Sequence, residues 1–401
     1  MTNQEIEEKI NEYNTNGKKT ICLFCDVFYP SIDGVISVVN NLAINLAKTY
    51  NVAVCVPKHK GKIVSKNEYL VLGAHSTKVP GMDYECSLTP AADKQFAKFL
   101  KMLKIDLVHF HSPFFMGKFA IKFAKKRNIP IVASMHSLYK NDFWQNTHSH
   151  ILTKILTKNM VKVFNSADML FTMNDFCEKT FRSYGITKPI TLIGNATNMP
   201  SGKNEQAVEK INKVLGISQS DNLWLYVGRL VKVKSLPMTI DALKELKDKG
   251  HKFKFVFVGE GSQKKKLIKQ VQKLRLSENV VFMGKIMDKT ILEGLYSRAN
   301  LFVFTSSYDT EGIVVIEAAA KETPSIVVAR SGPASRIIDG ENGFVAEHTA
   351  HDFAEKIHEI CENRKNLQEI GKNANKSLYI TWEEITQKYI PVYEQLTKKN
   401  D

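Results

Sequence analysis

Short runs of β-branched and aromatic residues alternate along the whole chain with amphipathic stretches of helical period, and few folds satisfy that alternation. A strand, a helix and a second strand in succession require a crossover, which makes neighbouring strands parallel and covers both faces of their sheet. Strands are expected at 20–25, 52–56, 107–110, 131–135, 169–172 and 190–193. A second series begins at Leu223 and continues at 253–258, 280–283, 301–305 and 325–328. The polar, weakly periodic stretch between the series reads as a domain connection. With 401 residues, 43% of them hydrophobic, the chain can bury two cores. The expected class is α/β, with two doubly wound domains. Ligands in such sheets bind beyond the carboxyl ends of the strands, so residues that directly follow a strand are the first site candidates.

One candidate segment runs from Ser306 to Ala320, where Asp309 and Glu317 stand eight positions apart around Gly312, and Gly312 opens an apolar, alanine-rich helix. The first N–H groups of that helix, at Gly312, Ile313 and Val314, can receive phosphate or sugar oxygens. Asp309 and Glu317 could accept hydroxyls at the two ends of one ligand. The same spacing also suits a helix cap followed by a solvated glutamate. A second candidate is the turn after the strand at Leu223, where Arg229 and Lys234 precede a helical pattern. Fixed cations there can neutralise a departing diphosphate without a metal, although solvated surface charge is the plainer alternative. Gly259 and Gly284 each follow a strand and could allow close approach of a nucleotide. Neither lies in a full dinucleotide-binding fingerprint, and a plain turn glycine is equally compatible. His136 ends an apolar strand, where a core histidine is the alternative to a site residue.

Taken together, these segments resemble the family-4 retaining glycosyltransferases. The resemblance rests on Gly228-Arg229-Leu230 with Lys234, on Asp309 with Glu317, and on 339–344, Asp-Gly-Glu-Asn-Gly-Phe. In the first half it rests on 28–35 (Phe-Tyr-Pro-Ser-Ile-Asp-Gly-Val), on Val108 to Pro113, and on Ser134-Met135-His136-Ser137. The likeness extends over nearly the whole chain and implies the GT-B fold. In that fold two Rossmann-like domains face a central cleft and a C-terminal helix crosses back to the first domain. The implied divisions are an acceptor-side domain at 1–197, a linker at 198–221, a nucleotide-sugar domain at 222–377 and a returning helix at 378–401. The resemblance implies catalytic roles for His136, Arg229, Lys234 and Asp309. It implies donor contacts from Gly34, Gly259, Gly284, Lys285, Glu311, Gly312, Ile313, Val314 and Glu317. Three departures stand out: Asp309 where the family usually has Glu, Asn195-Ala196-Thr197-Asn198 where it often has Asn-Gly-Val-Asp, and Ser335 where Glu is common.

No Asp-x-Asp occurs, and no His/Asp/Glu cluster shows metal-ligand spacing, so no metal and no cofactor are expected; a nucleotide sugar, with UDP as the expected nucleotide, is a substrate. A serine-hydrolase reading lacks its Gly-x-Ser-x-Gly elbow. The six cysteines are scattered, and Cys22-x-x-Cys25 lies in an apolar strand with no second pair to complete a zinc site. With no leader pattern and no long apolar run, a cytoplasmic protein, peripheral on the inner membrane face, is expected.

Residues 1–200 carry 25 Lys/Arg against 15 Asp/Glu, and the other 201 carry 31 against 26, so the basicity concentrates in the first half. Lys154, Lys158 and Lys162 recur beside Ile151, Leu152, Ile155 and Leu156, and Lys94, Lys98, Lys101 and Lys104 repeat the pattern around Phe96 and Phe99. Such helices can lie on anionic bilayers or can be core helices with solvated lysines. The expected activity is hexosyl transfer from a nucleotide diphosphate to a lipid or lipid-linked acceptor, with a glycolipid such as glucosyl-diacylglycerol first. The alternatives are capsule, lipopolysaccharide or other polysaccharide assembly, or a non-catalytic nucleotide-sugar or membrane binder. A nucleic-acid partner is not expected, since no recognition module accompanies the basic charge.

Overall fold

Val, Ile, Leu and Phe dominate the strand runs, as strands buried on both faces require. The computed structural model of the chain describes residues 1–31, 34–59, 68–79, 84–363 and 366–398. They fold into two compact units, one of residues 1–195 and 382–401, the other of residues 196–381.

The first unit carries β1 (Thr20–Phe24), β2 (Asn51–Pro57), β3 (Leu70–Ala74), a short antiparallel pair β4 (Thr77–Lys78) and β5 (Glu85–Cys86), β6 (Leu107–Phe110), β7 (Ile131–Ser134), β8 (Met169–Thr172) and β9 (Ile190–Leu192). Seven strands form one parallel sheet in the order β3-β2-β1-β6-β7-β8-β9. The strand order reverses between β1 and β6, paired from Ile21↔Leu107 to Phe24↔Phe110. Every residue of β1 is buried, Cys22 included, and its sulfur lies 3.4 Å from that of Cys55 in β2.

The second unit carries β10 (Leu223–Val227), β11 (Lys254–Val258), β12 (Val280–Gly284), β13 (Leu301–Phe304), β14 (Ser325–Val328) and β15 (Phe344–Ala346). They form a parallel sheet in the order β12-β11-β10-β13-β14-β15, with the reversal between β10 and β13. Trp224, Tyr226, Phe255, Phe257 and Phe302 fill its core.

Two expected boundaries move. The 198–221 stretch contains the helix Glu205–Leu215, capped by Asn204 and packed on the helix Lys289–Arg298. Gly294 permits this approach, since a Cβ there would stand 2.8 Å from the Ala207 carbonyl. Arg298 then donates to Asn212 Oδ1 and to the carbonyls of Ser218 and Asp221. At the other end the division falls at Trp382 instead of 378, because Leu378 is buried in the second core and Thr381 bridges to Thr197. Two helices, Trp382–Gln387 and Ile390–Thr397, follow within the first unit. There Glu394 holds Lys19 and the Tyr50 hydroxyl, and the Tyr393 hydroxyl meets His109 Nδ1 at 2.7 Å.

Candidate active site

In the second unit, the loops after β10 and β13 meet where the strand order reverses. The β10 loop leaves through Gly228, makes a tight turn at Lys232–Lys234 and enters the helix Leu236–Asp248. Thr305 clamps it from the β13 side, donating its hydroxyl to the Lys234 carbonyl at 2.9 Å. The Lys234 ammonium is thereby set against both oxygens of Asp309, at 2.6 and 2.7 Å, with the Phe304 ring 5.4 Å away. These side chains are 12% and 22% exposed, so the pair is only partly screened by water. Arg229 stands exposed on the same loop, and its carbonyl accepts the Tyr226 hydroxyl.

After Asp309 the chain passes through Gly312 at φ +76°, a left-handed conformation that favours glycine, into the helix Ile313–Ala320. Ile313 and Val314 supply first-turn N–H groups that a helix leaves unpaired. Glu317, one turn further and half-buried, accepts the Tyr296 hydroxyl at 2.7 Å. Burial pushes its carboxyl up to about 7, with the Tyr296 hydrogen bond opposing the shift.

Other expected donor contacts have structural work of their own. Glu311 is buried and pairs with Arg336 at 3.1 Å, and Arg336 also donates to the carbonyls of Ser377 and Leu378. Gly259 is required by the main chain itself, since a Cβ there would lie 1.9 Å from the Gly228 carbonyl. Gly284 ends β12 at φ +68° and accepts the Gly259 N–H, and Lys285 beside it is exposed.

The first unit gathers histidines at the ends of β6 and β7. His109 ends within β6, with Nε2 on the Ser134 hydroxyl at 2.8 Å. His111 Nδ1 lies 3.0 Å from Nε2 of His136, which is half-buried. Burial holds all three imidazoles below their ordinary pKa, His136 at about 4, so they are neutral near pH 7. Beside them, Asp26 accepts the Ser112 hydroxyl at 2.6 Å and the Met116 N–H at 2.8 Å. Gly34 opens the helix Gly34–Leu46 with no packing atom within 4 Å of an added Cβ. Ile32 and Asp33 of the expected first glycine loop lie outside the described residues.

On the helix His150–Phe164 the first half departs from the usual distribution. Thr153 and Thr157 face inward in line with Met160, Val163 and Phe164, while Ile151, Leu152 and Ile155 are 77%, 44% and 50% exposed. Lys154, Lys158 and Lys162 share this outer face, and Trp144, also exposed, stacks on His150 with centroids 4.3 Å apart. Among the described residues no helix is long and apolar enough to cross a membrane.

Sequence spacing missed one grouping able to hold a metal, in which His351 and Glu355, one turn apart, meet Glu245 from another helix. His351 Nδ1–H donates to Glu245 Oε2 at 3.0 Å, and Lys249 pairs with Glu355 at 2.5 Å. Tyr296 and Arg336 are not among the sequence candidates, and His111 enters there only as part of the 108–113 segment, with no role of its own. Only the His-x-His pattern of 109–111, at a strand end, could have pointed to the last.

Residues 32–199 match the family described as Glycosyltransferase Family 4, and residues 207–377 match Glycosyl transferases group 1. The alpha-monoglucosyldiacylglycerol synthase of Acholeplasma laidlawii is 25% identical over 376 residues, which cover 89% of this chain and 92% of that one. Sucrose-phosphate synthase from Thermosynechococcus elongatus superposes with a TM-score of 0.80 at 22% identity, covering 95% of this chain and 100% of its own. HepE of Anabaena, crystallised in complex with UDP-glucose, superposes with a TM-score of 0.74 at 17% identity, covering 94% and 99%.

Proposed function

The chain belongs to the family-4 glycosyltransferases of GT-B fold, and from that premise we propose that it moves a hexose, with retention and without a metal, from a UDP-sugar to a lipid or lipid-linked hydroxyl at a membrane surface. The observation that carries the reading is the Lys234–Asp309 pair at the strand-order reversal, one short loop before the Ile313–Ala320 helix start. As the bond between the sugar and the diphosphate breaks, negative charge grows on the leaving oxygen. Lys234, Arg229 and the first-turn N–H groups are fixed donors for that charge, and preorganised donors stabilise it without reorganising. Asp309 then serves the sugar hydroxyls and Glu317 the ribose, and His136 keeps the sugar-contacting role that the family resemblance implies. A divalent ion has no role in this scheme, because the cationic turn performs its electrostatic task.

The lipid side of the proposal rests on the first half of the helix His150–Phe164, whose second half is anchored in the core by Met160, Val163 and Phe164. A first half that only needed a core partner would bury its isoleucines instead of its threonines. Isoleucine and leucine outward, with lysines beside them and a tryptophan adjacent, suit insertion at the head-group boundary of an anionic bilayer. The similarity to a glucosyldiacylglycerol synthase supports the same acceptor class.

Binding of UDP and of UDP-sugars to the Asp309→Ala and Glu317→Ala variants tests the donor assignment by titration calorimetry. Asp309→Ala is expected to weaken the UDP-sugar more than free UDP, and Glu317→Ala to weaken both. Parental affinities for both ligands in both variants would contradict it.

A further inference from the structure

His111 has an unusual environment. It is fully buried, and among the described residues nothing hydrogen-bonds to its Nε2. Its ring and that of His136 are nearly parallel, 11° apart, with centroids at 5.2 Å while the facing nitrogens are only 3.0 Å apart. The two imidazoles therefore meet edge to edge and share one proton in an N–H···N bond. On its other side the His109 ring packs 4.1 Å away, and both His109 nitrogens are engaged by Tyr393 and Ser134.

Two arrangements of the shared proton are possible. If His136 Nε2–H donates, His111 must carry its own proton on Nε2, as a buried donor with no acceptor. If His111 Nδ1–H donates, Nε2 of His111 is a bare lone pair. Orphaned buried N–H groups are the rarer defect in folded proteins, and acceptors short of a donor are better tolerated. The second arrangement is therefore the stable one.

We propose that His111 is the positioning residue of His136: its Nδ1–H donates to His136 Nε2 and fixes His136 as the tautomer protonated on Nδ1. His136 thus offers substrate a neutral hydrogen-bond donor at Nδ1 instead of a basic nitrogen, in an orientation set by a buried neighbour. Burial, which keeps both rings neutral, maintains the arrangement across the physiological range. The assignment of His136 to substrate rests on the function proposed above; its tautomer does not.

The test uses the full chain with 15N-labelled histidine and long-range proton–nitrogen correlation spectra, with His136 assigned from its own substitution. The parent should show His136 protonated on Nδ1. His111→Asn, whose amide N–H replaces the Nδ1 donor, should keep that pattern. His111→Phe, which retains a ring but no donor, should lose it and lower kcat by about tenfold, the size of one lost hydrogen bond, with little change in KM for the donor. A parental His136 protonated on Nε2, or a His111→Phe spectrum unchanged from the parent, overturns the proposal; the parental spectrum needs no variant to fold. If the spectra follow expectation while His136→Ala transfers sugar at the parental rate, the positioning stands and the substrate role of His136 falls.

Discussion

Removing the Lys234 ammonium probes fold and chemistry separately. In Lys234→Ala, Asp309 loses a cation held at 2.6 and 2.7 Å in a pair whose members are 12% and 22% exposed. Exposed pairs contribute up to about 1 kcal/mol, and breaking a fully buried one costs about 3–5 kcal/mol. An intermediate pair should therefore cost about 1–3 kcal/mol of stability in the second unit. Turnover should fall further, by about 2–4 kcal/mol of transition-state stabilisation, or roughly 30- to 1,000-fold. Adding Asp309→Asn to the same chain removes the stranded charge, so the melting temperature should recover while turnover does not. Thermal unfolding and initial rates of UDP release measure the two effects. A folded Lys234→Ala protein that turns over at nearly the parental rate would refute the role given to this side chain.

Exhaustive EDTA treatment should leave transfer intact, and loss of activity that magnesium or manganese restores would contradict a metal-independent reaction. Burial pushes the folded Glu317 carboxyl up to about 7 from an ordinary 4.5, so the stability it confers is complete below 4.5 and is lost as the pH rises through about 7. Glu317→Gln should therefore gain melting temperature relative to the parent across that window, and parallel profiles would refute the shift. Reversing Lys154, Lys158 and Lys162 to Glu should abolish sedimentation with anionic vesicles, since each near-surface lysine contributes on the order of 1 kcal/mol. Association unchanged by the reversal would return the helix to a structural role.

The strands that position the site were legible because residues buried on both faces leave an unbroken apolar run, as in Leu223–Val227 and Leu301–Phe304. Phe344–Ala346, only three residues long, offers no such run. The helix Glu205–Leu215 reads as a linker in the sequence because its buried face is only Ala207, Val208 and Ile211 among polar residues. Lys234, Asp309 and Glu317 stand out as candidates in the sequence because each follows a strand or helix start at a fixed offset. Glu311 and Gly259 also have internal roles that the sequence does not reveal: a carboxylate or a glycine near a ligand loop can serve internal packing as well, and only the fold shows Arg336 beside one and the Gly228 carbonyl beside the other. His111 and His136 are 25 residues apart, and no local pattern reveals that adjacent parallel strands bring their rings together.

The central claim is sugar transfer to a lipid hydroxyl, and its most direct test is the mass of the lipid itself. The purified chain would be incubated in EDTA with UDP-hexose and anionic vesicles containing diacylglycerol, and the extracted lipids weighed by mass spectrometry alongside released UDP. Diacylglycerol should gain one hexose for each UDP released, with both signals collapsing in Lys234→Ala. UDP release with free hexose as the sole sugar product, or a hexose gained only by a water-soluble acceptor, would contradict it.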